Sequence, residues 1–73
     1  MNAKEKTNFM KASRVRVGLS QEKAAELIGV SRQTLSYYEA YPYSMSMESF
    51  AKMKELYGEE FADIYFAQKL YKK

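Results

Sequence analysis

The fold is decided by residues 21–39, which read QEKAAELIGVSRQTLSYYE. Ser20 directly precedes this stretch and is a favourable N-cap for a helix. Four apolar residues then repeat at helical spacing: Ala24, Ala25, Leu27 and Ile28. Gly29 ends this helix, because glycine adopts a left-handed backbone without steric cost, and Ser31 can cap a second helix that runs to about Ala40. The stretch therefore predicts two short helices joined by a tight turn.

Two helices that cross steeply at a tight turn need particular residue types at particular positions. The first helix needs a small residue where the second crosses it, and Ala25 is one. Val30 follows Gly29 and can lie under the turn, while Leu35 supplies the inward apolar residue at the centre of the second helix. Tyr38, three residues later, completes that inward face. The pattern is that of a helix-turn-helix.

The outward face of the second helix follows from the same periodicity. Gln33, Ser36 and Tyr37 are related by three or four positions, and Ser31 and Arg32 lie at the N-terminal end of the helix. These side chains can form hydrogen bonds with base edges or phosphates. The helix contains one acid, Glu39, which falls on the side of Leu35. The outward face is therefore polar and free of negative charge.

The remaining punctuation divides the chain into three further helices. Residues 4–17 contain no helix breaker and precede Gly18, and residues 41–45 form a loop around Pro42. Ser46 can cap a fourth helix, which Gly58 closes, and residues 59–73 form a fifth. In the fourth helix the apolar residues are Met47, Phe50, Met53, Leu56 and Tyr57, and in the fifth they are Phe61, Ile64, Tyr65, Phe66, Leu70 and Tyr71. We expect an all-α domain of five short helices over residues 1–73.

Composition narrows the possible functions. The 73 residues include no Cys and no His, which excludes thiolate and histidine catalysis and cysteine zinc sites. Glu59, Glu60 and Asp63 are typical first-turn acids, so we expect no catalytic residue, no metal and no cofactor. No apolar run approaches the roughly 20 residues that span a bilayer, so we expect a soluble cytoplasmic protein without membrane contact.

The net charge of +3 is unevenly distributed. Residues 1–20 carry five basic side chains and one acidic, whereas the rest of the chain is nearly balanced. A basic N-terminal region favours an anionic partner such as nucleic acid. It is equally consistent with an ordinary solvated helix face.

These residues resemble the phage repressor and Cro type of helix-turn-helix, often called the XRE family. The resemblance is carried by Arg14, by Gly18-Leu19-Ser20-Gln21-Glu22, by Ala24-Ala25, by the run Ile28 to Ser36, and by Tyr38-Glu39. Residues 47–53 look like the fourth helix of that family, and the similarity covers roughly residues 9–58. It implies a five-helix, lambda-repressor-like domain of bacterial or phage origin, whose third helix enters the major groove of double-stranded DNA.

The resemblance also implies roles for individual residues. Gln21 would contact a phosphate and brace Arg32, and Arg32, Gln33 and Thr34 would face bases. The other residues assigned to DNA contact are Ser31, Ser36, Tyr37 and Tyr41. Arg14 would pair with Glu39, with a phosphate contact as the alternative, and the structural set is completed by Ala25, Gly29, Val30 and Leu35.

The sequence departs from the family pattern at two places. Ser13 occupies a position that is usually aliphatic, and Met10 can fill the space beside it. Residues 40–44 contain no basic side chain, so phosphate contacts from this loop would use Tyr hydroxyls, Ser44 and backbone N–H groups. We therefore expect moderate rather than tight non-specific DNA binding.

The seven tyrosines and five methionines permit two interpretations. Tyrosines could form a stacking platform for single strands, but Tyr38, Tyr57 and Tyr65 fall on apolar stripes, which favours packing. We expect Tyr37, Tyr41 and Tyr43 to be exposed. Methionines could form an adaptable surface, but Met47 and Met53 are predicted to be core residues of the fourth helix.

The predicted function is sequence-specific DNA binding by a small repressor or Cro-like regulator, not an enzyme. A single DNA-reading helix contacts only a few base pairs, so we expect a homodimer on a two-fold related site. The fifth helix is the candidate dimer surface because its apolar residues cover a wide arc; alternatively, it folds back on the first helix. A different class of function also remains: a module of the same fold that binds another repressor or a toxin and touches DNA weakly.

Overall fold

The computed structural model describes residues 8–71, together with the side chains of residues 8–70. Its five α-helices are α1 (Phe9–Arg16), α2 (Gln21–Ile28), α3 (Arg32–Ala40), α4 (Met47–Tyr57) and α5 (Glu59–Tyr71). A single 3₁₀ turn, Pro42–Ser44, lies in the loop between α3 and α4. Residues 8–71 contain no β-strand. The prediction of an all-α chain with five short helices is confirmed.

Polar side chains set the starts of the first four helices. Asn8 accepts a hydrogen bond from the backbone N–H of Lys11, and α1 begins at Phe9; the predicted start of this helix at Lys4 lies outside the described residues. Three serines act in the same way at α2, α3 and α4, with N–H···O distances of 3.0–3.1 Å: Ser20, Ser31 and Ser46. Each serine satisfies a backbone donor that the helix leaves unpaired.

The core lies where α1, α4 and α5 meet beneath the α2–α3 pair. Its largest fully buried side chains are Met10, Leu35, Met53 and Phe61. Ser13 is also buried, and the burial of Met10 agrees with the expectation that methionine fills space near it. An aromatic cluster continues the core. The centroid of the Phe50 ring lies 4.5 Å from that of Tyr65 and 5.7 Å from that of Phe61, with the rings tilted against each other.

Helix α5 packs against both α4 and α1. Phe61 lies 6.1 Å from Phe9 of α1 and 5.3 Å from Tyr57 of α4, measured between ring centroids. The helix thus folds back on α1, as the alternative interpretation stated, yet it still leaves Phe66 53% and Leu70 76% exposed. An apolar strip of α5 therefore remains uncovered in the single chain.

Two apolar residues lie elsewhere than predicted. Met47 was expected in the core of the fourth helix, but it is 80% exposed, because at about 100° per residue it falls outside the arc of α4 that carries the buried side chains Ser49, Phe50, Met53 and Tyr57. Leu27 was placed on the apolar face of α2, but it too is exposed. Within the described residues, no helix has the length and apolar character needed to cross a membrane.

Candidate nucleic-acid interface

The α2–α3 turn is built around one carbonyl group and one glycine. The backbone N–H groups of Gly29 and Val30 both donate to the carbonyl oxygen of Ala25, at 2.8 and 3.0 Å. These two hydrogen bonds close α2 and require a left-handed backbone at Gly29, whose φ is +92°. Ala25 and Leu35 are buried where the two helices cross. The turn therefore fixes the direction in which α3 leaves α2.

The outward face of α3 is polar and open to solvent. Arg32, Gln33, Ser36 and Tyr37 are all exposed, whereas the acid of this helix, Glu39, is buried on the opposite side with Leu35. No acidic side chain of α3 therefore points outward. The face can donate hydrogen bonds from a guanidinium, an amide and a hydroxyl group, which suits the acceptors that bases and phosphates present.

Two residues assigned to DNA contact, Ser31 and Thr34, are hydrogen-bonded to each other within the protein. The Ser31 hydroxyl accepts a hydrogen bond from the Thr34 backbone N–H at 3.0 Å and donates to the Thr34 hydroxyl at 2.9 Å. Ser31 thereby holds the first turn of α3, and Thr34 is only half-exposed. Arg32 and Gln33 are the residues of this turn whose side chains extend freely into solvent.

A buried ion pair ties α1 to α3. Arg14 Nε lies 2.7 Å from Glu39 Oε2, and a second guanidinium nitrogen lies 3.4 Å from Glu39 Oε1. The same guanidinium donates to the carbonyl oxygen of Leu19 at 3.0 Å. The predicted Arg14–Glu39 pair is thus present, and these contacts occupy the guanidinium, which disfavours the alternative of a phosphate contact by Arg14.

Gln21 joins this network in a way that the sequence does not reveal. Its side-chain amide donates to Glu39 Oε1 at 3.1 Å, so Gln21 braces Glu39 and has no hydrogen bond to Arg32. The expectation that Gln21 braces Arg32 is therefore wrong in this structure. Glu39 accepts from two residues, Arg14 and Gln21, and links the last turn of α1 and the start of α2 to the end of α3.

Tyr57 lies beneath this ion pair. Burial, reinforced by the negative charge of Glu39 and opposed by Arg14, raises the pKa of its phenol from 10.0 to about 12. Among the described residues, its hydroxyl has no hydrogen-bond partner. The network is therefore enclosed on its inner side by a neutral aromatic ring, which limits solvent screening of the pair.

An open groove of about 1060 Å³ runs beside α3. Arg32, Ser36 and Tyr41 line one side of it, and Lys11 of α1 lies on the other. Lys11 is a basic residue that the assignment of individual contacts missed, although the excess of positive charge before Ser20 indicated this region. The groove brings two exposed cationic side chains, Lys11 and Arg32, to one surface, together with the exposed carboxylate of Glu22.

Of the three tyrosines near the end of α3 that were predicted to be exposed, two are exposed and one is packed against α5. Tyr37 and Tyr41 are 56% and 59% exposed, as predicted. Tyr43 was also predicted to be exposed, but its hydroxyl donates to the carbonyl oxygen of Tyr65 at 2.9 Å and its ring packs 4.8 Å from the Tyr65 ring. Burial raises the pKa of both phenols. Tyr43 therefore anchors the loop to α5.

The described residues contain no group of three or more Asp, Glu, His or Cys side chains arranged to hold a metal ion. Glu60 instead lies 3.6 Å from Arg16 and Glu59 lies 3.8 Å from Lys54, so both acids pair with nearby cations at the start of α5.

Comparison with known proteins agrees with this geometry. A protein-family model described as helix-turn-helix matches residues 10–64, which include α2, the turn and α3. No curated protein and no solved structure gives a significant match. The matched family is one of DNA-binding regulators. With the match covering most of the chain and the α2–α3 geometry in place, the chain belongs to the helix-turn-helix family of the phage repressor and Cro type.

Proposed function

We propose that this protein is a sequence-specific repressor or Cro-like regulator that reads double-stranded DNA through α3, hereafter the recognition helix. The observation that carries the proposal is the exposed, acid-free face formed by Arg32, Gln33 and Ser36. An arginine or glutamine at the start of such a helix can form two hydrogen bonds with one base, arginine with guanine and glutamine with adenine. The face therefore has the chemistry needed for sequence discrimination.

Positioning on the duplex is assigned to the groove beside the recognition helix. Lys11 and Arg32 can neutralise phosphates, and Tyr41 and the backbone at the start of α2 can donate hydrogen bonds to them. The buried Arg14–Glu39 pair maintains the angle between α1 and the recognition helix, so that these contacts and the base contacts are made together. The Gln21 side-chain amide has two N–H donors, and one of them donates to Glu39. We propose that the other N–H contacts a phosphate.

We further propose that the active unit is a two-fold symmetric dimer formed through α5. Phe66 and Leu70 are exposed one turn apart on this helix, and a second copy of the same strip is the simplest cover for them. Such a dimer presents two recognition helices to half-sites about one DNA turn, roughly 34–36 Å, apart. Tyr65, which the sequence also placed in the candidate interface region, belongs to the core and is excluded from this surface.

Selection of bound sequences from random duplex DNA tests the function. We expect a palindromic consensus with half-sites centred about 10 base pairs apart. Enrichment of no sequence, with binding that is equal for all duplexes, would contradict sequence-specific reading.

Sedimentation tests the dimer separately. The wild type should dimerise at micromolar concentration, and the Phe66→Asp, Leu70→Asp double variant should be a folded monomer because both side chains are more than half exposed, although the Phe66 ring also contacts Phe50 and Tyr65; circular dichroism checks the fold. A matched control is Asp63→Asn, an exposed change in the same helix that should leave the dimer intact. A wild type that stays monomeric at tens of micromolar and binds a palindrome as one copy would contradict the dimer.

The second candidate, a module that binds another repressor or a toxin, is supported by the same exposed strip of α5 and by Met47. It makes the opposite prediction for the recognition face. Arg32→Ala and Gln33→Ala would then leave the biological activity unchanged, whereas Phe66→Asp would abolish it.

A further inference from the structure

Two exposed tyrosines stand side by side where the recognition helix ends. Tyr37 and Tyr41 are four residues apart on the same side of the helix, and their ring centroids are 4.9 Å apart with the planes tilted by 44°. More than half of each side chain is open to solvent. They form an apolar ledge, the Tyr37–Tyr41 pair, on a face that is otherwise polar.

The position of this pair is fixed by the backbone around it. The Tyr41 N–H donates to the Tyr37 carbonyl oxygen at 2.8 Å, which closes the last turn of the helix. The Tyr41 carbonyl oxygen accepts from both the backbone N–H and the hydroxyl of Ser44, at 3.1 and 2.7 Å. A tyrosine ring has only two side-chain torsions, so little conformational entropy is lost when such a preformed surface binds.

The major groove contains one apolar group to which such a ledge is complementary. Base edges there present hydrogen-bond donors and acceptors, and thymine alone among the four bases adds a methyl group at C5. Tyr37 follows Gln33 by one helical turn, a rise of about 6 Å, so it meets a different base pair from the one that faces Gln33. An aromatic ring at this place gains by covering a methyl group, and its single hydroxyl cannot form the paired hydrogen bonds that arginine or glutamine makes with a guanine or adenine edge.

We propose that the Tyr37–Tyr41 pair is a specificity determinant that selects thymine by packing against its 5-methyl group. Tyr37 makes the contact and Tyr41 supports its ring. The inference rests on the proposed reading of duplex DNA by the recognition helix. Insertion of an unpaired base between the two rings is disfavoured, because it needs twice the stacking distance of about 3.4 Å, which exceeds their separation of 4.9 Å; stacking on the outer face of Tyr37 is left to the test below.

The test replaces thymines by deoxyuridine, one position per half-site at a time, in the duplex consensus selected by the protein. Uracil pairs like thymine but lacks the methyl group. We expect one position at which the replacement weakens binding about fourfold for each methyl group lost, or about 15-fold for a symmetric pair of half-sites. A second comparison places cytosine, paired with guanine, at that position. Its replacement by 5-methylcytosine returns a methyl group to the same place and should strengthen binding.

Variants at Tyr37 assign the effect to this residue. Tyr37→Phe keeps the ring and should keep the preference for thymine over uracil, whereas Tyr37→Ala should bring the ratio of the two dissociation constants close to one. Lys54→Ala, an exposed change in α4 outside the recognition helix, is the control and should retain the ratio. All three substitutions are at exposed side chains, so thermal melting should show folded protein in each case.

The outcomes separate this inference from the proposed function. Sequence-specific binding with equal affinity for thymine and uracil at every position would overturn the inference alone. The same holds if the preference persists in Tyr37→Ala, or if single strands bind more tightly than duplex through Tyr37. Failure of the wild type to select any duplex sequence would overturn the proposed function together with the inference.

Discussion

Replacing Glu39 with glutamine tests how the recognition helix is held in place. The carboxylate accepts hydrogen bonds from Arg14 at 2.7 and 3.4 Å and from Gln21 at 3.1 Å. The side chains of Arg14 and Glu39 are only 9% and 6% exposed, respectively. Glu39→Gln keeps the shape of the side chain and removes its charge, which leaves the Arg14 guanidinium charged and desolvated beside a neutral amide.

The expected loss follows from the burial of the pair. Removing one partner of a buried ion pair costs about 3–5 kcal/mol, because the remaining charge stays out of water. Glutamine still accepts one hydrogen bond, so we expect a loss of about 3 kcal/mol in the free energy of unfolding. A chain of 73 residues has a total of roughly 4–11 kcal/mol, so the loss is a large fraction of the stability.

Urea unfolding followed by circular dichroism measures this loss as a lower midpoint with an unchanged m value. The matched control is Lys23→Ala, which breaks a pair with Glu26 at 3.6 Å whose side chains are 57% and 71% exposed. A surface pair of this kind contributes about 0–1 kcal/mol. If Glu39→Gln lost no more stability than Lys23→Ala, the buried pair would not hold α1 against the recognition helix, and this reasoning would be refuted.

Three further predictions follow from the backbone, from a buried phenol and from the surface charge. Gly29→Val should lower the free energy of unfolding by about 1–3 kcal/mol in urea titrations because φ is +92°, and Gly29→Asn should lose less; equal stability of valine and glycine would contradict the left-handed turn. Tyr57→Phe should be at least as stable as the wild type at pH 7, because it removes a buried hydroxyl that has no partner among the described residues. The pKa of Tyr57 is raised in the folded state to about 12, so the contribution of its protonated phenol to stability is complete below pH 10 and is lost as the pH rises through 12. The difference in the free energy of unfolding between Tyr57→Phe and the wild type should therefore grow between pH 10 and 12, and a difference that stays constant would contradict the assignment. The logarithm of the DNA-binding constant should fall with the logarithm of salt concentration with a slope below about 6 in magnitude for a dimer, because few phosphates are neutralised per chain; a slope near 10 would contradict the charge distribution.

Local sequence signals were sufficient to predict where the helices of the helix-turn-helix begin and where the turn between them lies. Each of Ser20, Ser31 and Ser46 caps a helix within three residues of itself, and Gly29 acts on its own backbone, so neither feature depends on distant parts of the chain. Periodicity also placed Leu35 and Glu39 on the inward side of α3. Residue types with a local physical effect were therefore enough to define the helix-turn-helix.

Contacts between distant residues were not accessible in the same way. Gln21 and Glu39 are 18 positions apart, and Tyr43 and Tyr65 are 22 apart, so their hydrogen bonds depend on how the packed helices bring them together. Met47 is three residues from Phe50, yet it is exposed, because a three-residue spacing turns the helix by only about 300° and Met47 falls outside the buried arc of α4. The outward side chains of the recognition helix could be predicted, whereas the network that orients this helix could not.

The central claim is that Arg32 and Gln33 read DNA sequence, and the most direct measurement is a specificity ratio. Dissociation constants for the selected duplex and for an unrelated duplex are measured at one salt concentration, for the wild type, Arg32→Ala, Gln33→Ala and the control Lys54→Ala. We expect each recognition-helix variant to lose discrimination by about 1–3 kcal/mol at one or two positions per half-site, and Lys54→Ala, whose side chain pairs with Glu59 at 3.8 Å, to keep the full ratio. Full discrimination in both Arg32→Ala and Gln33→Ala would contradict the claim.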